Sequence, residues 1–352
     1  MDRLAMVAAA ALVAAVGGDD GSGGPLFRIL QDGRWGFIDA AGRVVIQPRF
    51  ERAERFSEGL AAVQDGETRG YVDRTGALVL LPRYQPAATL HRRFADGRAV
   101  VKEGQRYGYI DRGGRLVIPA RYLAAEDFSE GLAMVCDERT CGYVDRSGRG
   151  VLGPGFMGGQ PVKEGLAVAV LAMSMGRQRV ALHDLRRGRV PGEFEGAGER
   201  SEGLVPVRLA GRWGFLDVEG RGAITPRFAA AGEFHGGLAP VTEEASGRCG
   251  YVDRRGVLVI PARFRACRPF SGHLARVDLA ETETDRERPA FVDARGAVAF
   301  SGDALTPRFD SAEDFHEGLA AVGLGGEPAL AGSGTLLGYV DEQGRYVWRP
   351  AE

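Results

Sequence analysis

The sequence predicts an all-β protein, a tandem array of about nine three-stranded β-meander repeats. The first observation behind this prediction is a Gly–aromatic–aliphatic–Asp motif that returns at intervals of 33 to 48 residues. The second is a glycine three residues after the aspartate in eight copies. The third is a short apolar strand of the Leu-Ala-x-Val type before each copy. Such repeats stack into one body, so we predict a single array over residues 26–349.

Residues 35–63 form one unit, and its first half reads as a strand followed by a tight turn. Residues 35–39 alternate large and small side chains, which is the period-two pattern of a strand. Residues 39–42 (DAAG) then reverse the chain. An aspartate at the start of a turn can accept the N–H two residues on, and glycine supplies the left-handed φ that closes the hairpin.

The second half of the unit predicts two more strands with a connection between them. Residues 43–47 are apolar and β-branched enough for a strand, which should stop at Pro48 because proline has no N–H for the ladder. The connection over residues 49–59 spaces its aromatic residues to suit one helical or 3₁₀ turn. A short strand over residues 60–63 completes the unit.

The turn pairs of Asp and Gly are interpreted as structural rather than as calcium ligands. Each Asp stands at the first position of its own turn, and no second acidic residue lies at a fixed offset to complete a coordination shell. The pairs are Asp39 and Gly42, Asp73 and Gly76, Asp111 and Gly114, Asp145 and Gly148, Asp217 and Gly220, Asp253 and Gly256, Asp293 and Gly296, and Asp341 and Gly344. The ninth copy, at Asp184, has its glycine one residue late, so residues 171–207 are a candidate joint that divides the array.

The motif resembles the bacterial WG-repeat family, named for the Trp-Gly pair seen at Trp35-Gly36 and Trp213-Gly214. The likeness covers residues 26–348. The resemblance implies a β-rich repeat protein, usually without assigned activity.

Two overall arrangements of the array are possible: an open, curved stack and a closed ring like a β-propeller. We expect the open stack, because propellers typically have four to eight blades of four strands, whereas nine units of three strands are counted here. The array also starts and ends on whole units, so no strand is left over to join the first unit to the last. The closed ring is the alternative if the Phe-containing connection acts as a fourth strand.

The N-terminus predicts export. Residues 1–18 resemble a signal peptide, with an apolar run behind Arg3, and residues 19–25 form a flexible linker. The run is too short to cross a bilayer of roughly 30 Å, so we expect no stable membrane span in the mature chain. The protein is therefore expected in the periplasm or outside the cell, with a cytoplasmic chain bearing a frayed tail as the alternative.

The four cysteines fit an exported protein. Cys136 and Cys141 flank a four-residue loop between two strands, so we expect them to be cross-strand neighbours joined by a disulfide. Cys249 and Cys267 pair only if the Trp and Ala positions of one unit face each other.

Arginine and glutamate recur at fixed positions and allow two interpretations. One is a structural Arg–Glu ladder between neighbouring units, and the other is an arginine stripe suited to acidic glycans or carboxylate-bearing protein segments. The candidate binding stripe is Arg49, Arg83, Arg121, Arg227, Arg263 and Arg308. The glutamates before Gly-Leu are Glu58, Glu130, Glu164, Glu202 and Glu317.

The net charge and the absence of catalytic motifs in the sequence limit the classes of function that we expect. The net charge of −2 with interspersed signs lacks the basic footprint of a nucleic-acid-binding protein. No nucleophile elbow, zinc-protease motif, P-loop or dinucleotide motif occurs. We therefore expect a non-enzymatic binding or scaffolding protein of the cell envelope, without a cofactor or metal, whose partner is a protein or an envelope glycan. The alternative is an enzyme, or enzyme accessory, with a site assembled from loops.

Overall fold

The computed structural model describes residues 23–80, 85–86, 93–174, 177–279, 288–324 and 336–350. Within these residues the chain forms nine small antiparallel sheets and one 3₁₀ helix at Gly302–Ala304. The predicted signal peptide at residues 1–18, the start of the predicted linker and Arg83 lie outside the described residues.

The strands follow in chain order, and consecutive strands pair within each sheet. Sheet 1 contains β1 (Leu26–Gln31), β2 (Arg34–Asp39) and β3 (Val44–Phe50). Sheet 2 contains β4 (Arg52–Ala53), β5 (Ala61–Asp65), β6 (Thr68–Val72) and β7 (Leu78–Leu80). Sheet 3 contains β8 (Gln85–Pro86), β9 (Arg98–Glu103), β10 (Arg106–Asp111) and β11 (Leu116–Tyr122). Sheet 4 contains β12 (Ala124–Ala125), β13 (Leu132–Cys136), β14 (Cys141–Asp145) and β15 (Gly150–Phe156). Sheet 5 contains β16 (Gly158–Gly159), β17 (Leu166–Ser174), β18 (Arg177–Asp184) and β19 (Gly188–Arg189).

The remaining four sheets repeat this order. Sheet 6 contains β20 (Gly196–Ala197), β21 (Val205–Leu209), β22 (Arg212–Leu216) and β23 (Gly222–Phe228). Sheet 7 contains β24 (Ala230–Ala231), β25 (Leu238–Thr242), β26 (Cys249–Asp253) and β27 (Leu258–Phe264). Sheet 8 contains β28 (Ala266–Ser271), β29 (Leu274–Asp278), β30 (Pro289–Val292) and β31 (Val298–Ser301). Sheet 9 contains β32 (Phe309–Ala312), β33 (Leu319–Leu324), β34 (Leu336–Asp341) and β35 (Tyr346–Trp348).

The prediction that Pro48 ends its strand is wrong. β3 continues through Pro48 to Phe50, and the register slips between the pairs Trp35–Phe50 and Phe37–Ile46. The extra residues of β3 bulge out of the ladder at this point. Proline is tolerated in a bulge because no ladder hydrogen bond is required there.

The predicted helical turn in the connection is also wrong, and with it the count of three strands per unit. In the second unit, Arg52 pairs with Gln64 and Ala53 pairs with Val63, so the connection adds a short first strand to its sheet. Equivalent short strands make eight of the nine sheets four-stranded within the described residues. In the part of the chain that the structure describes, only sheet 1 has three strands.

Nine hydrophobic clusters fill the nine interfaces between neighbouring sheets, among the described residues. For example, Trp35 and Phe37 of sheet 1 pack with Val63 of sheet 2. The clusters continue around the array in order of the sheets. The ninth cluster joins Phe27 and Ile29 of sheet 1 to Leu319, Ala321 and Tyr339 of sheet 9. The last sheet therefore packs on the first.

Two further contacts between the chain ends repeat contacts made between sequential sheets. The hydroxyl of Tyr339 donates to the Arg28 carbonyl at 2.6 Å, as the hydroxyl of Tyr109 does to the Glu126 carbonyl of the next sheet at 2.8 Å. The turn at Gly42 lies against β35, where a Cβ on Gly42 would meet the Val347 carbonyl oxygen at 2.2 Å.

The expected open stack is therefore wrong: the protein is a nine-bladed β-propeller. Its small rotations between neighbouring sheets add up to one full turn, and the apolar faces that an open stack would leave at its two ends cover each other. Closure needs no shared strand, because side-chain packing and the Tyr339 hydrogen bond join the ends.

Candidate functional site

A ladder of hydrogen bonds connects the turns that precede the second strand of successive sheets. An acidic side chain in one turn accepts a backbone N–H from the turn of the next sheet. Glu164 shows the full geometry, with its carboxylate oxygens 2.7 Å from Glu202 N and 2.8 Å from Gly203 N. The other rungs run from Glu58 to Gly97, from Asp96 to Gly131, from Glu130 to Glu164 and Gly165, and from Glu202 to Gly237.

Arginines in the Asp-x-x-Gly turns strengthen this ladder. The guanidinium of Arg254 donates to the Glu202 carbonyl at 2.8 Å and lies 3.6 Å from its carboxylate. Arg146 lies 3.0 Å from the Asp96 carboxylate. Each carboxylate in the ladder is thus held by backbone donors on one side and, in these sheets, by a cation on the other.

Four of the five glutamates before Gly-Leu, namely Glu58, Glu130, Glu164 and Glu202, therefore do join neighbouring units, but their partners differ from those of the proposed Arg–Glu ladder. They contact backbone N–H groups and turn arginines. They do not contact the arginine stripe in the described part of the chain.

The ladder is broken where the ring closes. The turn position of sheet 1 is occupied by Gly24, which has no side chain, and the next residue is Pro25, which has no N–H. Glu317, in the preceding turn of sheet 9, has no hydrogen-bond or ion-pair partner among the described residues. Glycines also take the turn position in sheets 7 and 8, at Gly236 and Gly272.

A cleft of ≈340 Å³ lies at this break, and we call it the seam cleft. It is lined by the turns of sheets 9, 1 and 2, with Phe27, Phe56 and Tyr339 among its apolar residues. Its charged lining comprises Arg28, Arg55, Arg74, Glu58, Glu313, Asp314 and Glu317, together with His316. At Gly24 the cleft is open, with no atom within 4 Å of the Cβ position, whereas the turns of sheets 2 to 6 carry an acidic side chain at the equivalent position.

Several of the charged groups in the cleft are already paired. Arg55 of sheet 2 forms an ion pair with Glu313 of sheet 9, across the first sheet. Arg28 lies 3.6 Å from Glu54. Arg74 donates to the Gly24 carbonyl, but the carboxylate that accompanies this contact for Arg254 in sheet 7 is missing at Gly24.

Tyr339 forms part of the cleft wall as a fixed donor. Burial raises the pKa of its phenol to about 12, so the hydroxyl stays protonated at neutral pH and keeps its hydrogen bond to Arg28. Phe27 packs on the same ring with a centroid distance of 5.5 Å. The wall of the seam cleft is therefore preformed.

Both disulfides considered from the sequence are present. Cys136 and Cys141 are register partners on β13 and β14, with Cα atoms 4.0 Å apart. Cys249 and Cys267 have Cα atoms 6.0 Å apart and connect sheet 7 to sheet 8. The first closes a hairpin, and the second joins two blades.

Four members of the arginine stripe lie on the last strands of their sheets, where their guanidinium groups contact the neighbouring blade. Arg263 stacks over Phe264 at 5.0 Å and donates to the Gly296 carbonyl at 2.6 Å. Arg49, Arg121 and Arg227 make the same pair of contacts with Phe50, Tyr122 and Phe228 and with Gly76, Gly148 and Gly256. Arg308 differs, since it pairs with Asp310 and Asp303.

We expect the double variant Arg227→Ala/Arg263→Ala to lower the melting temperature, because each change removes an interblade hydrogen bond and a cation–π contact worth about 1–2 kcal/mol together. Arg308→Ala should lower it much less, because an exposed ion pair contributes roughly 0–1 kcal/mol. Thermal denaturation, monitored by circular dichroism, measures the melting temperatures of both variants. Equal losses per arginine would contradict this assignment.

The Asp-x-x-Gly turns have the local geometry that their sequence suggests. Asp39 Oδ1 accepts the N–H groups of Ala41 at 2.9 Å and Arg43 at 3.0 Å. The hydrogen bond from the Arg43 backbone is the main reason that the pKa of this carboxyl lies below its usual value. Within the described ranges, no group of three or more His, Cys, Asp or Glu side chains is placed to hold a metal ion.

The degenerate unit contains a buried ion pair. Asp184 and Arg200 are each about 95% buried and lie 2.8 Å apart. Arg200 replaces the phenylalanine that packs on the third strand in six other units, and it also donates to the Glu164 carbonyl. Sheet 5 shares hydrophobic clusters with sheet 4 and with sheet 6.

Sequence reasoning missed the seam cleft. A signal was present in the substitution of Glu-Gly by Gly24-Pro25 in the first unit. It had no meaning until the first turn was known to lie beside Glu317, some 290 residues away in the chain.

No helix within the described residues has the length and apolar character needed to cross a membrane.

Comparison with known proteins identifies the repeat. The model of the WG containing repeat matches residues 35–68, 70–107, 107–138, 213–244, 250–279 and 304–327, more than half of the chain. No curated protein matches the sequence.

Several solved structures align with this chain at low sequence identity. Dipeptidyl peptidase 4 of Porphyromonas gingivalis aligns with a TM-score of 0.50 and 10% identity over 84% of this chain, which spans 59% of that protein. The dihydro-heme d1 dehydrogenase NirN aligns with a TM-score of 0.47 and 13% identity over 93% of this chain and 73% of its own. KlHsv2 aligns with a TM-score of 0.42 and 7% identity over 71% of this chain and 91% of its own. Likeness at such identities concerns the fold alone.

Proposed function

The chain belongs to the WG containing repeat family, and from this premise we propose that it is a non-enzymatic binding or scaffolding protein of the bacterial cell envelope. Its partner is a protein or an envelope glycan, and its site is the seam cleft. The observation that carries the proposal is the break in the ladder. A ring that satisfies the turn carboxylates of five sheets internally leaves Glu317 unpaired beside a preformed cleft.

The size and lining of the cleft support a ligand site. Ligand pockets commonly measure about 300–1,000 Å³ and combine apolar walls with a few polar groups that orient the ligand. The seam cleft, at ≈340 Å³, combines the walls of Phe27, Phe56 and Tyr339 with charged groups of both signs. A ligand with both hydrogen-bond donors and carboxylates fits this lining.

Export remains part of the proposal. Two disulfides are typical of proteins that fold in an oxidising compartment, and both are formed here. The apolar run near the N-terminus is consistent with secretion.

We expect immobilised protein to retain a component of the envelope and to release it chemically unchanged. An acidic polysaccharide and an envelope protein fraction should be applied in parallel. The double variant Glu317→Gln/Arg74→Gln should reduce retention roughly tenfold or more, because two charged contacts are lost. The variant Glu67→Gln/Arg69→Gln makes the same charge changes on exposed residues of sheet 2 away from the cleft and serves as the control.

Two results would contradict the proposal. Equal retention by both variants would place the ligand elsewhere on the ring. Conversion of the retained component into a new product would favour an enzyme with a site assembled from loops.

A further inference from the structure

Some hydrogen-bonding groups in the seam cleft have no partner within the part of the chain that the structure describes. The intact rungs of the ladder show which partners these groups would normally have. In an intact rung, one turn supplies a carboxylate to the N–H groups of the following turn. At the seam, Glu317 offers a carboxylate without a donor. The N–H of Gly59, in the turn of sheet 2, has no acceptor among the described residues, whereas the equivalent N–H of Gly97 is bound by Glu58.

Arg74 is the third unmatched group. It makes the backbone contact to Gly24 that Arg254 makes to Glu202, but Arg254 also lies near the Glu202 carboxylate. Since Gly24 has no side chain, Arg74 has no such carboxylate beside it. The seam cleft therefore presents one acceptor, Glu317, and two donors, Gly59 N–H and Arg74.

The apolar position of the seam cleft is already occupied by a side chain of this protein. In six other interfaces a phenylalanine packs edge-to-face on the aromatic ring of the Gly–aromatic–aliphatic–Asp strand, as Phe128 does on Tyr109 at 4.9 Å. At the seam, Phe27 contacts Tyr339 instead. The contacts that are missing in the cleft are therefore polar. They require a carboxylate that is followed by free backbone N–H groups.

We infer that the seam cleft binds an acidic peptide turn of a partner protein, whose carboxylate meets Gly59 N–H and Arg74 and whose N–H groups meet Glu317. The motif is an acidic residue followed by glycine, the same chemistry that forms the intact rungs. This inference rests on the proposed function and names its ligand as a peptide. In the sequence of residues 1–22, Asp20 is the only acidic residue that is followed by glycine.

The intact turns of this chain provide a probe. A head-to-tail cyclised peptide of residues 126–133 (EDFSEGLA) presents the turn of sheet 4 with a reduced ordering penalty. We expect it to bind the full protein in fluorescence anisotropy. Glu130→Gln and Gly131→Pro in the peptide should each weaken binding roughly tenfold, because they remove the carboxylate and one N–H. Phe128→Ala should change it little, because Phe27 already occupies the apolar position.

Filling the cleft from within gives the matched test on the protein. Gly24 has open space where a Cβ would stand, so Gly24→Glu can supply the missing carboxylate to Gly59 N–H and Arg74. This variant should bind the peptide roughly tenfold more weakly and melt at a higher temperature than the wild type. Gly150→Glu adds the same charge at another open position and should change neither property. Glu317→Gln should also weaken binding, which covers the case in which Gly24→Glu does not fold.

Several outcomes would overturn the inference while leaving the proposed function intact. Binding that ignores Glu130→Gln and Gly131→Pro would show that the turn chemistry is wrong. Retention of acidic polysaccharide that Gly24→Glu abolishes, with no binding of the peptide, would make the ligand a glycan. Concentration-dependent dimerisation that Glu317→Gln abolishes would make the occupant the exposed turn at Glu317 and Gly318 of a second copy.

Discussion

Replacing Arg200 by leucine is expected to destabilise the protein by up to about 3–5 kcal/mol, because the buried Asp184 carboxylate loses its buried cation and keeps the half-exposed Arg187 guanidinium, 3.7 Å away. Both side chains are about 95% buried, and their charged atoms lie 2.8 Å apart. Arg200 also donates to the Glu164 carbonyl at 3.1 Å, so a second, part-buried acceptor loses its donor. Urea denaturation at pH 7 measures the loss.

The same variant should behave differently in acid. Burial opposes ionisation of Asp184, yet hydrogen bonds from Arg200 and from the backbone hold the pKa of its carboxyl below the usual value. A lowered folded-state pKa stabilises the protein above the unfolded-state pKa near 3.8, and this stabilisation is lost as the pH falls through the folded-state pKa. In Arg200→Leu the buried carboxyl loses its nearest cation, so its pKa should rise and protonation should relieve the defect. The difference between the two proteins should therefore shrink as the pH falls from 7 towards 3.

The double variant Asp184→Asn/Arg200→Leu is the control. Asparagine keeps an oxygen for the N–H groups of Arg186 and Arg187 but carries no charge. It should recover a large part of the lost stability, since the uncompensated charge is gone. A double variant as unstable as Arg200→Leu would show that packing, rather than the buried charge, dominates.

Replacing Gly250 by valine is expected to cost about 3 kcal/mol or more, because the side chain has no space between two strands. A Cβ on Gly250 would lie 2.3 Å from the Ile260 carbonyl oxygen and 2.8 Å from Ala262 N, both on the bulged backbone of β27. Backbone atoms cannot rotate away as a flexible side chain can, so β27 must separate from β26. Urea denaturation measures the loss.

Gly150→Val is the matched control, because Gly150 also lies on a strand and has no atom within 4 Å of its Cβ position. Its stability should stay within about 0.5 kcal/mol of the wild type. If Gly150→Val and Gly250→Val lose equal stability, the close approach of β27 is not the cause. Gly36, Gly108 and Gly214 meet the equivalent carbonyl oxygen at 2.4–2.5 Å, so the motif glycine has the same steric role in several blades.

Features that depend on residues close in the chain could be predicted from the sequence. The turn at Asp39 is built from hydrogen bonds to the second and fourth residues that follow. The hairpin at Cys136 and Cys141 needs only the loop between them. The β class, the repeat and the family follow from the same local pattern, because each copy repeats the same short-range contacts.

The candidate site could not be predicted in this way, because its groups come from three sheets. Glu317, Pro25 and Arg74 are far apart in the chain, and their shared position depends on which turn lies next to which. The arginine stripe illustrates the same difficulty. The position of Arg263 before Phe264 is visible in the sequence, but its hydrogen bond to Gly296 exists only because the next blade places that carbonyl nearby.

By itself the sequence determined that this protein is all-β, that its unit repeats nine times, and where its Asp-x-x-Gly turns lie. Only the tertiary structure decided that the array closes, that the connection adds a fourth strand, and that the closing interface contains a cleft. The physical reason is that closure depends on the rotation between neighbouring sheets, about one ninth of a turn each, which is set by side-chain packing between blades. No local pattern encodes that angle, and a small change in it, summed nine times, would leave Tyr339 out of reach of Arg28.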